Sequence, residues 1–218
     1  VDDGLMASNN FAIVEEFIAE LGKHLRKVKL FDEPQKYLGM NIVYCDDGRY
    51  YLHQQPKIEE WFGDEFTKPT KTPMSNTTNL RREQKNPDNA SLLSDTGKFR
   101  YLADRTRPDI LVAVGEVSTG GDKDPSDEHV CVSRRIKNYL TTTKDLGLYF
   151  GGDDPVKLFA YVDAAYITEG NARSRLGGCL FAGVNSGAID CFSRNDTTQS
   201  TSSTLCHSST EAEIKELD

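Results

Sequence analysis

The sequence lacks any apolar run near the roughly 18–20 residues that span a bilayer, and it lacks the basic-then-apolar start of a secretory signal. No helical membrane span is expected, and an intracellular, cytoplasmic location is. Cys-x-x-Cys is absent too. The five cysteines, Cys45, Cys131, Cys179, Cys191 and Cys206, are scattered and odd in number, which favours a reducing compartment with unpaired thiols. Cys206 and His207 are adjacent, a poor spacing for two ligands of one zinc. Positive charge is in short supply: 26 Lys and Arg face 34 Asp and Glu, for a net charge of −8. A free-standing nucleic-acid binder is usually basic, so this balance counts against autonomous nucleic-acid binding, though not against a part of a larger enzyme. The basic residues do cluster (Lys23, Arg26, Lys27 and Lys29; Arg100, Arg105 and Arg107; Arg134, Arg135 and Lys137), and each cluster is expected to be a solvated helix face.

What is present reads as an α+β chain whose texture changes near residue 150. Residues 9–30 read as a helix running into a strand. Asn9 or Asn10 is placed to cap it, Val14, Phe17, Ile18 and Leu21 lie on one face, and Gly22 is a candidate stop. Residues 37–53 read as a β-hairpin through Asp46-Asp47-Gly48, and a short helix is expected around Ile58, Trp61 and Phe62. Residues 64–95, rich in Thr, Asn and Pro, are the best candidate linker or surface excursion. A helical patch begins at Phe99. Another starts at Thr106-Arg107-Pro108-Asp109, with Pro108 in its first turn and Ile110, Val114 and Val117 inward. Residues 125–142 form an amphipathic helix with Val132, Ile136, Tyr139 and Leu140 inward. Beyond residue 145, the stretches 146–150, 156–166, 178–184 and 188–192 are short β-type runs.

Two carboxylate groupings stand out. Asp2-Asp3 is a paired Asp in a tight turn between apolar residues, a place where a nucleotide polymerase can hold catalytic metal; an ordinary solvated loop is the competing explanation. Asp163 lies mid-strand in Phe159-Ala160-Tyr161-Val162-Asp163-Ala164-Ala165, where a carboxylate is costly unless it is paired, binds a cation or points to water from an edge strand. Two strands then lead to a helix start carrying Glu213. Strand with Asp, further strands, then helix with Glu is the order by which ribonuclease-H-like nucleases gather carboxylates. Such oxygen ligands suit Mg²⁺, and two metals roughly 3.5–4 Å apart stabilise the attacking water and leaving oxygen of a phosphodiester. Glu213 also fits a capping box with Thr210.

Several segments occur together in one order: Val1-Asp2-Asp3-Gly4-Leu5, Tyr37-Leu38-Gly39-Met40-Asn41-Ile42, Thr72-Pro73-Met74, Tyr101-Leu102-Ala103 with Thr106-Arg107-Pro108-Asp109-Ile110, and Arg135-Ile136 with Asn138-Tyr139-Leu140. Asp145-Leu146-Gly147-Leu148, Tyr161-Val162-Asp163-Ala164 and Ser208-Ser209-Thr210-Glu211-Ala212-Glu213 complete the set. In this respect the chain resembles the copia-type retrotransposon Pol polyprotein family, from reverse transcriptase into ribonuclease H. The resemblance implies the end of a polymerase palm with a primer-positioning hairpin at 1–55. It implies a thumb or connection region at 56–150, including the polar linker, and the amino-terminal half of a ribonuclease-H-like domain at 151–218. Asp2 and Asp3 would be two of three polymerase carboxylates, binding Mg²⁺ to activate a primer 3′-hydroxyl. Asp163 would be the first ribonuclease H carboxylate and Glu213 the second, with Glu211 as alternate.

The implied partners of the parent enzyme are an RNA template, RNA–DNA hybrid and deoxynucleoside triphosphates; a particle-associated cytoplasmic setting goes with the family. The family's third polymerase Asp lies upstream of Val1 and its remaining nuclease carboxylates beyond Asp218, so the chain is expected to be a fragment, incomplete at both ends and inactive alone. Ala165-Tyr166 stands where relatives carry an aromatic–aspartate pair, and Cys191-Phe192-Ser193 where they carry Trp-Ser. These departures keep a second expectation open: a decayed or retained retroelement product without catalysis that at most binds nucleic acid or a partner. An unrelated binding module is a third.

Overall fold

A computed structural model describes residues 4–6, 8–25, 28–29, 33–75, 89–121, 126–152, 155–165 and 175–195. They form a mixed α+β fold. Helix α1 (Phe11–His24) starts where Asn10 Oδ1 accepts the Ala12 N–H at 3.1 Å, the side-chain cap expected of Asn at this position. It runs past Gly22 to His24, and Val28 and Lys29 have no regular structure, so the expected stop and following strand are not found there. Only Val14 of its apolar face is buried; Phe11, Ile13 and Phe17 are exposed.

The first sheet has the order β1 (Lys36–Tyr37), β2 (Met40–Tyr44), β3 (Arg49–His53), β4 (Gly147–Gly151), antiparallel throughout. Two turns fix its register. Leu38 (φ 46°) and Gly39 (φ 76°) make the two-residue loop between Tyr37 and Met40, the doubly left-handed turn that matches strand twist. The β2–β3 loop closes with Gly48 N–H on the Cys45 carbonyl at 3.1 Å and Gly48 at φ 78°. A turn followed by a left-handed Gly is the usual three-residue hairpin solution, which is why Asp46-Asp47-Gly48 is legible as one.

Helices α2 (Gln55–Phe62), α3 (Asn89–Ala103), α4 (Leu111–Gly121) and α5 (Asp127–Thr142) hold the main core. Ile58, Phe62, Phe99, Leu102, Ile110, Val114, Val117, Val132, Ile136 and Leu140 are buried together. A single 3₁₀ turn, Pro108–Ile110, leads into α4, with Pro108 in the first turn where its missing N–H costs nothing. The polar stretch expected at 64–95 differs from a linker at both ends. Residues 89–95 already belong to α3, and Thr67 and Thr70 are tied to α5: Asn138 Oδ1 accepts the Thr67 N–H at 3.0 Å and Thr142 Oγ1 the Thr70 N–H at 3.1 Å. Thr67 and Thr70 thus serve hydrogen bonding to a helix. Residues 76–88 lie outside those described.

The second sheet is the antiparallel meander β5 (Leu158–Ala165), β6 (Arg175–Ala182), β7 (Ala188–Asn195), with an irregularity between Leu180 and Phe181. It meets the helices at α4, where Arg175 pairs with Glu116, and Cys191 packs against the helical core. Among the described residues no helix is long and apolar enough to cross a membrane.

Candidate functional site

Asp163 lies on β5, at the edge of the second sheet among the described residues, and is exposed. Its cross-strand partner is Gly177, whose own partner on β7 is Ser193. In an antiparallel pair such partners share a face, so Asp163, Gly177 and Ser193 line up across one side of the sheet. Gly177 leaves that row open beside the carboxylate. Two residues along on the same face, Arg175 is held by Glu116 and donates from Nη1 to Ser193 Oγ at 3.3 Å. Asp163 is thus exposed among the described residues, and the burial cost that made it conspicuous in the sequence does not arise there. An exposed carboxylate with open space beside it is still chemically suited to a hard cation.

Asp2, Asp3, Glu211 and Glu213 lie outside the described residues, as do Thr210, Cys206 and His207. Among the described residues no three His, Cys, Asp or Glu gather to hold a metal.

The segments that carry the family resemblance behave differently: several of them hold one another. Tyr101 Oη donates to the Leu38 carbonyl at 2.7 Å, joining segments 63 residues apart. A Cβ on Gly39 would fall on the Tyr101 hydroxyl, so both its left-handed φ and this approach call for glycine. Arg135 donates from Nε to the Thr72 carbonyl at 3.0 Å and from Nη2 to Thr72 Oγ1 at 2.7 Å. Tyr51 Oη donates to the Asp145 carbonyl.

Arg107 is the centre of this bracing. It is 1% exposed and takes both Asp109 oxygens, Nε to Oδ1 at 2.9 Å and Nη2 to Oδ2 at 2.7 Å. It also donates to the Thr143 carbonyl and Oγ1 at the end of α5, at 2.9 and 2.7 Å. Tyr139 Oη donates to Asp109 Oδ2 at 2.7 Å; burial, then Asp109, pushes the Tyr139 phenol above its ordinary value. The expectation of a solvated basic face fails at Arg107, because Asp109 and the end of α5 take four of the five N–H donors of its buried guanidinium. It fails at Lys137 as well. That ammonium is bound by Asp95 at 2.6 Å and Glu65 at 2.5 Å; burial works against its charge, but the two carboxylates outweigh it and raise its pKa. Arg100, Arg105 and Arg134 are exposed as expected.

His53, beside this bracing, is stacked on Tyr51 at 5.1 Å. Its Nδ1 accepts the Gln55 N–H at 3.4 Å, a bond that needs the neutral ring. Burial lowers its pKa below the ordinary 6.5. A depressed folded-state pKa contributes stability that is present above the unfolded value and lost as pH falls through the folded one. The thermal midpoint is expected to drop by a few degrees as pH goes from about 7 to 5, and His53→Gln should remove most of that drop. An unchanged pH profile in the variant would assign the effect elsewhere.

No family model matches the chain, and no solved structure matches it. Curated relatives do match it, among them the following three. The retrovirus-related Pol polyprotein from transposon TNT 1-94 of Nicotiana tabacum is 32% identical over 201 residues, 87% of this chain and 15% of that protein. The putative transposon Ty5-1 protein YCL074W of Saccharomyces cerevisiae is 30% identical over 172 residues, 76% of this chain and 55% of that protein. Secreted RxLR effector protein 161 of Plasmopara viticola is 34% identical over 116 residues, 53% of this chain and 80% of that protein. Mobile-element polyproteins are the class to which the sequence points. The chain belongs to the copia-type retrotransposon Pol polyprotein family, and it spans about 15% of the length of the tobacco polyprotein it matches.

Proposed function

We propose that the chain is the stretch of a copia-type Pol polyprotein that runs from the end of the reverse-transcriptase palm (1–55) through a thumb or connection region (56–150) into a ribonuclease-H-like domain (151–218). In the whole polyprotein this stretch would serve RNA-directed DNA synthesis and hydrolysis of the RNA strand of RNA–DNA hybrids. The observation that carries this reading is the second sheet: a three-stranded antiparallel meander with an exposed Asp163 on its first strand and open space beside it. β5 has β6 on one side and no partner strand on the other among the described residues, leaving an edge that can take a further strand. The uncovered apolar residues of α1 fit a helix that packs on another part of a larger protein.

Asp163, with Glu213 or Glu211, would supply oxygen ligands to Mg²⁺ at the nuclease centre, and Asp2 with Asp3 at the polymerase centre. Bound there, Mg²⁺ would activate the attacking oxygen and stabilise the leaving one. RNA template, RNA–DNA hybrid and deoxynucleoside triphosphates would be the partners.

The test compares the 218 residues with a chain extended in both directions through its open reading frame. The short chain is expected to show neither primer extension nor hybrid cleavage, since two carboxylates per centre are too few to fix two metals. The extended chain should cleave hybrid in Mg²⁺. Asp163→Asn should cut that rate by more than about a hundredfold, exceeding the usual effect of losing a residue that only supports a metal ligand, while the melting temperature holds. Cleavage indifferent to Asp163→Asn would sink the site.

A second reading, a non-catalytic product retained from such an element, is favoured by one comparison. Sequence of this kind makes up most of a protein named as an effector rather than as a polyprotein. An extended reading frame that cleaves no hybrid, whether or not it binds it, would select it.

A further inference from the structure

The second sheet holds a pair of thiols that the proposed function does not use. Cys179 on β6 and Cys191 on β7 are directly opposite in the register, and both are half-buried. Their sulfurs are 2.8 Å apart. A shared metal ion does not fit between them. Zn–S bonds of about 2.3 Å in a tetrahedral site set two sulfurs roughly 3.7 Å apart. The pair is too close for an ion and near enough for a bond, and its residues face each other as a cross-strand disulfide requires.

We propose that Cys179 and Cys191 are a thiol modification site, closed by hydrogen peroxide into a disulfide that ties β6 to β7. Burial of the Cys191 thiol orders the steps, and Cys179 is the sulfur that attacks first. After losing its proton to solvent, it attacks the peroxide. The S–O bond forms, the O–O bond breaks, and the departing hydroxide takes up a proton as the first water. Cys179 is then a sulfenic acid. The Cys191 sulfur attacks it, the S–S bond forms, the S–O bond breaks, and hydroxide leaves with the Cys191 proton as the second water. Two thiols and one peroxide give one disulfide and two waters, a two-electron oxidation. Burial pushes the Cys191 thiol up to about 12, with the neighbouring Cys179 sulfur and then Asp190 adding to the shift. Cys191 therefore keeps its proton until the second step, as the thiol that resolves the intermediate.

The bond would join the strand that faces Asp163 through Gly177 to its other neighbour, closing a loop of 12 residues' separation. Cys131, exposed on α5, and Cys45, in the hairpin turn, have no such partner sulfur among the described residues.

The experiment uses the whole 218-residue chain, folded, with hydrogen peroxide as the probe. Thiols are alkylated under denaturing conditions before and after treatment, and peptides are identified by mass. The expected product has lost two hydrogen atoms, has two thiols closed to alkylation, and yields one cross-linked peptide pair containing Cys179 and Cys191. Its melting temperature should rise by about 5 °C or more. Cys179→Ser should abolish both changes, and the same treatment in guanidinium should spread the cross-links over other cysteines. Oxidation of Cys131 with Cys179 and Cys191 still free, or cross-links joining either to another cysteine in the native protein, would overturn the proposal.

Discussion

Arg107→Ala should cost the fold about 3 kcal/mol and lower the melting temperature by roughly 6–12 °C. Removing one member of a buried ion pair is among the most damaging single changes, at about 3–5 kcal/mol, because the remaining groups keep their burial and lose their partner. The estimate sits at the low end because Asp109 is 34% exposed on its side chain; it can turn to water and keeps the Tyr139 hydroxyl. The Thr143 carbonyl, at the end of α5, would lose the guanidinium and keep the Leu146 N–H at 3.0 Å. Ala also leaves a hole where a large side chain was buried.

Arg107→Lys should recover only part of the loss. One ammonium cannot reach two Asp109 oxygens and two Thr143 oxygens in the planar fork the guanidinium provides. Chemical denaturation with both variants checks this. If Arg107→Lys and Arg107→Ala were equally harmless to stability but impaired hybrid cleavage by an extended chain, Arg107 would be a nucleic-acid contact and its burial irrelevant.

The same residue shows what was legible in the sequence and what was not. Helices and strands could be placed because their signals are local: Asn10 as a cap, Asp47-Gly48 as a turn, the spacing of Val132, Ile136 and Leu140 as an inward face. Thr106-Arg107-Pro108-Asp109 could be recognised as a characteristic segment and as a helix start. Its reason could not, since Arg107 answers to Thr143, 36 residues away, and composition alone suggests a solvated base. The stretch 64–95 misled for a related cause. Thr67, Thr70 and Thr72 look like linker residues until α5, some seventy residues later, is laid beside them. Odd, scattered cysteines pointed to unpaired thiols, and only the β6–β7 register brings Cys179 and Cys191 together. Asp163 was found by its hydrophobic surroundings, yet it is exposed, at the edge of the sheet among the described residues. Alternation along a strand tells which residues share a face, not whether that face is covered.

Gly147→Ala should destabilise the fold by about 3 kcal/mol, the upper end for an overpacked site. A methyl group there would fall on the Leu52 carbonyl oxygen, 2.8 Å from Tyr51 Cε2 and 3.1 Å from His53 Cβ. The first obstacle is backbone of the neighbouring strand, so no side-chain rotation relieves it; β4 has to part from β3. With it would go the Tyr51–Tyr149 stack at 4.6 Å and the Arg49 guanidinium 4.8 Å over the Tyr149 ring. Gly177→Ala is the matched control. A methyl group at Gly177 would meet its nearest neighbours, the Phe192 and Asp163 carbonyl oxygens, at 3.7 and 3.9 Å, ordinary contact distances. Trading Gly for Ala without strain reduces the freedom of the unfolded chain and is expected to be neutral or to stabilise by about 0.4–1 kcal/mol. Equilibrium unfolding should therefore separate two glycines that look alike in sequence, each at or beside the start of a short β-type run. Gly177 also faces Asp163. If Gly177→Ala keeps full stability and still slows hybrid cleavage by an extended chain, the open space beside Asp163 serves the site; a loss of stability comparable to Gly147→Ala would show instead that both glycines are there for the sheets.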